Sequence, residues 1–174
     1  ALTLNSSTTA DISGTLNVNA FGTYNMSNAG AINTVTGTLR NAGTLNTIAN
    51  NIVVNNNGTF DHGLDGGTLP TCVWNAGSTC RISGVTSAGN MNGHSQVFSR
   101  FVYDCASQGS QNFVLGVNTS LFEAIESFTV NRTGSGSLQL TSSGGQRDFT
   151  FGNYYQYGGT VSITKNTGAG GQRS

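Results

Sequence analysis

The sequence predicts an all-β chain folded as a parallel β-helix, a solenoid whose short strands stack coil upon coil. Three observations predict it. The phrase Gly-Thr-apolar recurs through the first 70 residues, apolar and polar residues alternate around each copy, and helix formers are nearly missing. Alternation with a period of two is the mark of a half-buried strand. Lys and Glu, the commonest surface residues of helices, are almost absent, and they rank among the better helix formers.

Along residues 1–70 the phrase reads Gly14-Thr15-Leu16, Gly22-Thr23-Tyr24, Gly37-Thr38-Leu39, Gly43-Thr44-Leu45, Gly58-Thr59-Phe60 and Gly67-Thr68-Leu69. Gly30-Ala31-Ile32 is a weaker copy, and Gly159-Thr160-Val161 returns late. Asn-Gly, Ala-Gly and Gly-Gly steps between copies supply residues that tolerate positive φ. Strands this short do not suit a hairpin meander, whose strands usually reach five residues or more. A coil that cannot bury its apolar face alone acquires a core when copies stack. Stacking also accounts for the asparagines, whose amides can ladder from coil to coil. Coils of roughly 20 residues are expected, within the usual range of solenoid repeats.

From residue 71 onward the strands are expected to lengthen and turn aromatic, as in Gln96–Tyr103, Asn112–Leu115, Ser127–Val130, Ser137–Leu140 and Asp148–Phe151. Leu121–Ile125 has helical flavour but is too short to stand as a helix. With no linker between the halves, residues 1–174 read as one solenoid domain of irregular coil length, its coil size changing near residue 70.

Composition narrows the function. Only 8% of the 174 residues are charged, against roughly 25% in an ordinary domain. Seven basic residues balance seven acidic ones, so the basic stripe that nucleic-acid binding requires is missing. No stretch approaches the ~20 apolar residues of a membrane span. With 36% hydrophobic and 9% aromatic residues at regular spacing, the chain does not have the composition of disorder. It opens mid-pattern at Ala1-Leu2-Thr3-Leu4 without an initiator Met or signal peptide, as a mature chain or a fragment does. Cys72, Cys80 and Cys105 are odd in number; a disulfide between two of them suits an exported protein, and three free buried thiols are the alternative.

The run Val73–Cys80, then Ile82–Ser87, Phe98 through Cys105, Phe128-Thr129-Val130 and Thr133–Leu140 resembles, in its order, large secreted proteins of Bacteroidetes. Those proteins are repetitive, rich in Gly-Thr-Leu-Asn phrases, and commonly carry a C-terminal sorting domain for type IX secretion. The resemblance spans roughly residues 12–165. It implies export to the cell surface and a right-handed β-helix, and it implies no catalytic role. A recognisable sorting domain does not follow Lys165.

Several constellations could carry chemistry. Asp61-His62-Gly63-Leu64-Asp65 is a candidate calcium or acid–base cluster; a solvated turn in which Asp caps backbone amides explains it better, since calcium usually takes more acidic ligands than this loop offers. Glu123, Glu126, Arg132, Arg147 and Asp148 gather acids and bases of the kind used on glycans, although singly scattered charges suit surface pairing better. His94 follows Asn92-Gly93 and is expected in an exposed loop. Trp74, Tyr154, Tyr155 and Tyr157 are candidate glycan-stacking or interface aromatics, with an aromatic fill of the coil interior as the rival. Threonine rows would suggest ice binding, but clean Thr-x-Thr rows are missing. Sequons at Asn5, Asn25, Asn57, Asn118 and Asn131 are expected by chance.

These features point to an extracellular structural or adhesive protein, not an enzyme and without a cofactor, that pairs with itself as an oligomer or filament. A carbohydrate-binding module that recognises surface glycans is the alternative.

Overall fold

Every strand pairing in the computed structural model, which describes residues 1–3, 8–115, 122–140 and 149–162, is parallel. Among the described residues there is no helix. After β1 (Leu2–Thr3), each coil visits three faces in turn. The first complete coil holds β2 (Thr9–Ile12), β3 (Thr15–Val18) and β4 (Thr23–Met26), and the next β5 (Ile32–Val35), β6 (Thr38–Asn41) and β7 (Thr44–Thr47). Then come β8 (Ile52–Val54) with β9 (Thr59–His62), and β10 (Val73–Trp74) with β11 (Thr79–Ile82). The later coils hold β12 (Val97–Asp104) with β13 (Asn112–Val114), β14 (Phe122–Arg132) with β15 (Ser137–Gln139), and β16 (Phe149–Gln156) with β17 (Thr160–Ser162).

Strands β2, β5, β8 and β10 form the first face; β3, β6, β9, β11, β12, β14 and β16 form the second. The third face is two short sheets, β1-β4-β7 and β13-β15-β17, with isolated bridges Thr68–Asn92 and Asn90–Val114 between them. Thr15, Thr38, Thr59, Thr79, Arg100, Ser127 and Asn153 are successive register partners on the second face, so its coils take 23, 21, 20, 21, 27 and 26 residues. The expected coil of about 20 residues holds for the first four. Strand lengthening begins at Val97, later than the sequence suggested, because β10 and β11 still build an ordinary coil. From β12 on, one strand carries the chain where two short ones did before. A bulge at Ile125–Glu126, set against Ser99 on one side and Gly152 on the other, accommodates the bend.

The Gly-Thr-apolar phrase has a stacking explanation. A Cβ on Gly37 would lie 2.1 Å from the Gly14 carbonyl oxygen of the coil below, a distance real Cβ atoms do not adopt. The following threonine points outward and the apolar residue inward, giving the column Leu16, Leu39, Phe60, Cys80, Phe101, Phe128, Tyr154. Asn57 just before Gly58 takes a left-handed φ of 63°, a conformation asparagine tolerates better than most residues.

The core changes character along the axis. In the early coils it includes a buried polar knot: Tyr24 Oη donates to Asn33 Oδ1 at 2.5 Å, and Asn33 Nδ2 reaches the Met26 sulfur at 3.2 Å. The Asn51 amide donates to the Met26 carbonyl. Further along, Phe60, Trp74, Phe98, Phe101, Phe122, Phe128, Phe149 and Phe151 form one chain of ring contacts, with centroids 4.9–6.4 Å apart. Rings of this size supply most of the apolar area buried in a small core.

Candidate functional site

The outward surface of the second face concentrates the chain's charge. Arg40, Asp61 and Arg81 are direct register partners on β6, β9 and β11. Their alternation continues through Asp104 on β12 to Arg132 on β14. Asp61 lies 3.3 Å from Arg40 Nε and 3.9 Å from Arg81 Nη1. Arg81 Nη2 donates to Asp104 Oδ2 at 2.6 Å, and Arg132 Nε to Asp104 Oδ1 at 2.5 Å. The result is a ladder of alternating sign over five coils, three guanidiniums to two carboxylates. The hydrogen bond from Arg132, helped by Arg81, holds the Asp104 carboxyl below the usual carboxylate range against the effect of its burial.

A second tie sits at the bulged corner. Glu126 accepts from Ser99 Oγ, the Gly77 amide and Arg100 Nε, each at 2.7 Å. Those bonds, Ser99 first, lower its pKa. Glu126 thereby links three coils, with both carboxylate oxygens engaged. Glu123 lies at the far end of the bulge, paired in register with Val97 and Thr150, and Arg132 belongs to the ladder. Arg147 and Asp148 lie outside the described residues.

The Asp61–Asp65 cluster is dispersed by the strand pleat. Asp61 faces outward into the ladder and also accepts from Ser83 Oγ at 2.6 Å. His62 points inward, fully buried, its Nε2 2.7 Å from the Gly66 carbonyl oxygen and its Nδ1 without a partner. Burial lowers the His62 pKa, opposed by the Gly66 carbonyl and by Asp61. Asp65 caps backbone amides, as a turn aspartate can, but those of the next coil: Thr86, Ser87 and Ala88 donate to it, the first two through their hydroxyls as well. Burial acts to raise the Asp65 pKa, yet these bonds keep it well below the usual range. Among the described residues no group of three or more His, Cys, Asp or Glu could hold a metal ion.

The cysteines form no disulfide. All three are free and buried. The cause is register: Cys80 takes the place of Phe60 and Phe101 in the inward column, Cys72 precedes β10 on the first face, and Cys105 follows β12, its Sγ 3.4 Å from the Ile82 carbonyl. Burial raises all three thiol pKa values, that of Cys105 to about 11, so none is a nucleophile at neutral pH. His94 is buried, not exposed in a loop.

The aromatic candidates divide. Trp74 is half-buried against the core: its ring packs on Phe60 and Phe98, and its indole N–H donates to Gln96 Oε1 at 3.0 Å. It is several coils from the tyrosines and joins no platform with them. Tyr154 ends the inward column against Phe128 and Phe151. Tyr155 and Tyr157 face solvent, 45% and 76% exposed, with rings 13° from parallel and centroids 6.3 Å apart.

Thr15, Thr38, Thr59 and Thr79 do form a row in register. It is one residue wide and runs beside the Arg–Asp ladder, so the flat Thr-x-Thr surface is still missing. Of the sequons, Asn25 and Asn57 lie on coil surfaces, Asn131 lies on β14, and Asn5 and Asn118 are outside the described residues. Among the described residues no helix is long and apolar enough to cross a membrane.

Sequence reading missed the ladder, although a signal for it existed. Aligning the second-face phrases by their threonine places Asn17, Arg40, Asp61 and Arg81 at one position. No protein-family model, curated protein or solved structure matches this chain.

Proposed function

We propose that this chain is a non-enzymatic, extracellular structural or adhesive element that self-associates through its coils. The observation that carries the reading is the seven-stranded parallel sheet whose outermost described strands, β3 and β16, bring the apolar column toward solvent. Leu16, Phe149 and Phe151 are only partly buried there, and Tyr154 is exposed. Partly open apolar side chains along an outer strand are a surface on which another coil can pack. Low charge and paired ion ladders also suit close packing of copies, since few charges must lose water. The phrases shared with repetitive Bacteroidetes surface proteins support a place at the cell surface and a type IX route.

Light scattering and negative-stain microscopy test this. Oligomers or fibres are expected to grow with concentration, and Phe151→Asp, which charges the β16 edge, is expected to suppress them. A chain that stays monomeric at millimolar concentration overturns the reading.

A second reading, glycan binding, is favoured by the exposed, near-parallel Tyr155–Tyr157 pair. Flat exposed aromatics suit the apolar face of a sugar ring, with the phenol hydroxyls free to hydrogen-bond. The two readings are compatible on one adhesive rod.

A further inference from the structure

We infer that the corner formed by Tyr155, Tyr157 and Arg132 binds an anionic pyranoside, a sugar ring bearing a carboxylate or sulfate ester. The inference rests on the glycan reading and adds the site and the charge class.

Register brings the components together. Val130 pairs with Gln156, and the Tyr157 amide donates to the Val130 carbonyl at 2.8 Å, so the pairing continues and sets Tyr157 beside Asn131 and Gly158 beside Arg132. Asn131 is an extra residue in β14, because Tyr103 pairs with Val130 while Asp104 pairs with Arg132. Bulges of this kind turn a side chain away from its regular direction and are common beside binding sites. Here the bulge lays Arg132 over Asp104 on the outer surface, its side chain 57% exposed while that of Asp104 is 7% exposed.

Where the chain continues from Tyr157 into Gly158 and Gly159 it lines an open pocket of about 240 Å³, whose other walls include Asn131, Arg132, Thr133 and Gly134. Gly134 and Gly159 hold positive φ values of 54° and 77°. A Cβ on Gly159 would lie 2.5 Å from Thr133 Oγ1, so this wall is bare backbone. Such a pocket offers amides, carbonyls and an asparagine side chain to sugar hydroxyls.

Charge selects the anion. Asp104 is shared by Arg81 and Arg132, and Asp61 by Arg40 and Arg81, leaving the ladder one positive charge in excess. Arg132 is its most exposed arginine and sits at the end adjoining the tyrosines. Only Nε of Arg132 is given to Asp104, and a guanidinium has further N–H groups with which to meet a carboxylate or sulfate.

Calorimetry with purified full chain would use three probes: oligogalacturonate, the same oligosaccharide fully methyl-esterified, and a sulfated galactan oligosaccharide. Binding of one or both anionic probes, at least about tenfold tighter than the ester, is the expected result; the two acidic probes separate carboxylate from sulfate. Tyr155→Ala and Tyr157→Ala are each expected to weaken binding about threefold to tenfold, the range of one aromatic contact. Arg132→Gln should remove the preference over the ester, Arg132→Lys should restore part of it, and Arg100→Gln, paired with Glu126 outside the ladder, should leave binding unchanged. Melting curves verify that each variant is folded. Equal binding of acid and ester overturns the inference while sparing the glycan reading. Binding of no probe, or binding indifferent to both tyrosine variants, overturns both.

Discussion

Asp104 and His62 lie on neighbouring columns of one face, yet burial acts on them in opposite senses. Asp104 is a nearly covered carboxylate that keeps its charge because two arginines reach it. Charge-assisted hydrogen bonds of this kind contribute about 1.5–3 kcal/mol where desolvated, less here because the arginines are themselves half in water. Asp104→Asn is expected to cost about 1–2 kcal/mol, a fall in melting temperature of about 3–6 °C for a chain of this size. Its depressed pKa means that its contribution is present above the unfolded value of 3.8 and is lost as pH falls through the lower folded value. His62 is buried neutral, with a folded pKa below 6.5. Well above pH 6.5 neither state binds the proton; as pH falls through 6.5 the unfolded chain takes up a proton that the folded chain refuses, and stability declines. Chemical denaturation at a series of pH values should therefore show two acid limbs. His62→Leu is expected to flatten the limb between pH 7 and 5, and Asp104→Asn the one below pH 4. An unchanged slope in His62→Leu would contradict the assignment.

At the scale of the strand and its turn, Gly37, Gly43 and Gly58 are set by the coil beneath them. Gly37→Ala would force a Cβ against the Gly14 carbonyl, whereas a Cβ on Gly14 meets nothing within 4 Å. Thermal unfolding should show Gly37→Ala destabilised by roughly 2–4 kcal/mol, in the range of severe backbone clashes, and Gly14→Ala changed by less than about 1 kcal/mol. Equal effects would contradict direct stacking at this corner. This repeat was legible in the sequence because one physical demand, close approach followed by an inward apolar residue, recurs at short intervals. The asparagine ladder was legible for the same reason and forms between Asn25 and Asn46 and between Asn55 and Asn75. The ladder of Arg40, Asp61, Arg81, Asp104 and Arg132 was legible only in part: its members stand 20 or more residues apart, and the threonine phrase that aligns Arg40, Asp61 and Arg81 does not extend to Asp104 and Arg132. Beyond Arg81 a single bulged residue, Asn131, decides which side chain meets Asp104, and no local pattern announces a bulge. His94 reads as a loop group from its polar and glycine neighbours, but its burial is decided by the coils above and below. The pairing of Tyr155 with Tyr157 follows from strand alternation, whereas their nearness to Arg132 depends on that same bulge.

Across the whole molecule, stability is expected to be graded along the axis. A solenoid coil touches only the coils on either side, so its stability is the sum of its own contribution and two interfaces. The coils from β9 to β14 have both neighbours in place on the second face and are filled by the linked rings of Phe60, Trp74, Phe98, Phe101, Phe122 and Phe128. The coil of β2, β3 and β4 buries a single aromatic ring, that of Tyr24, and the inner residues of β16 are partly open. Amide exchange should accordingly be slowest in β9, β11, β12 and β14, and faster in β3 and β16, which open locally at less than the global free energy. Phe101 lies at the centre of the ring chain, fully buried. Phe101→Ala is expected to cost about 3–5 kcal/mol and to speed exchange in β11 and β14 as well as in β12. Leu16→Ala, at the outer end of the same column, should cost less than half as much and leave β12 and β14 protected. Uniform acceleration throughout the chain by either substitution would show that the coils open as one unit, and would rule out nearest-neighbour stacking as the source of stability.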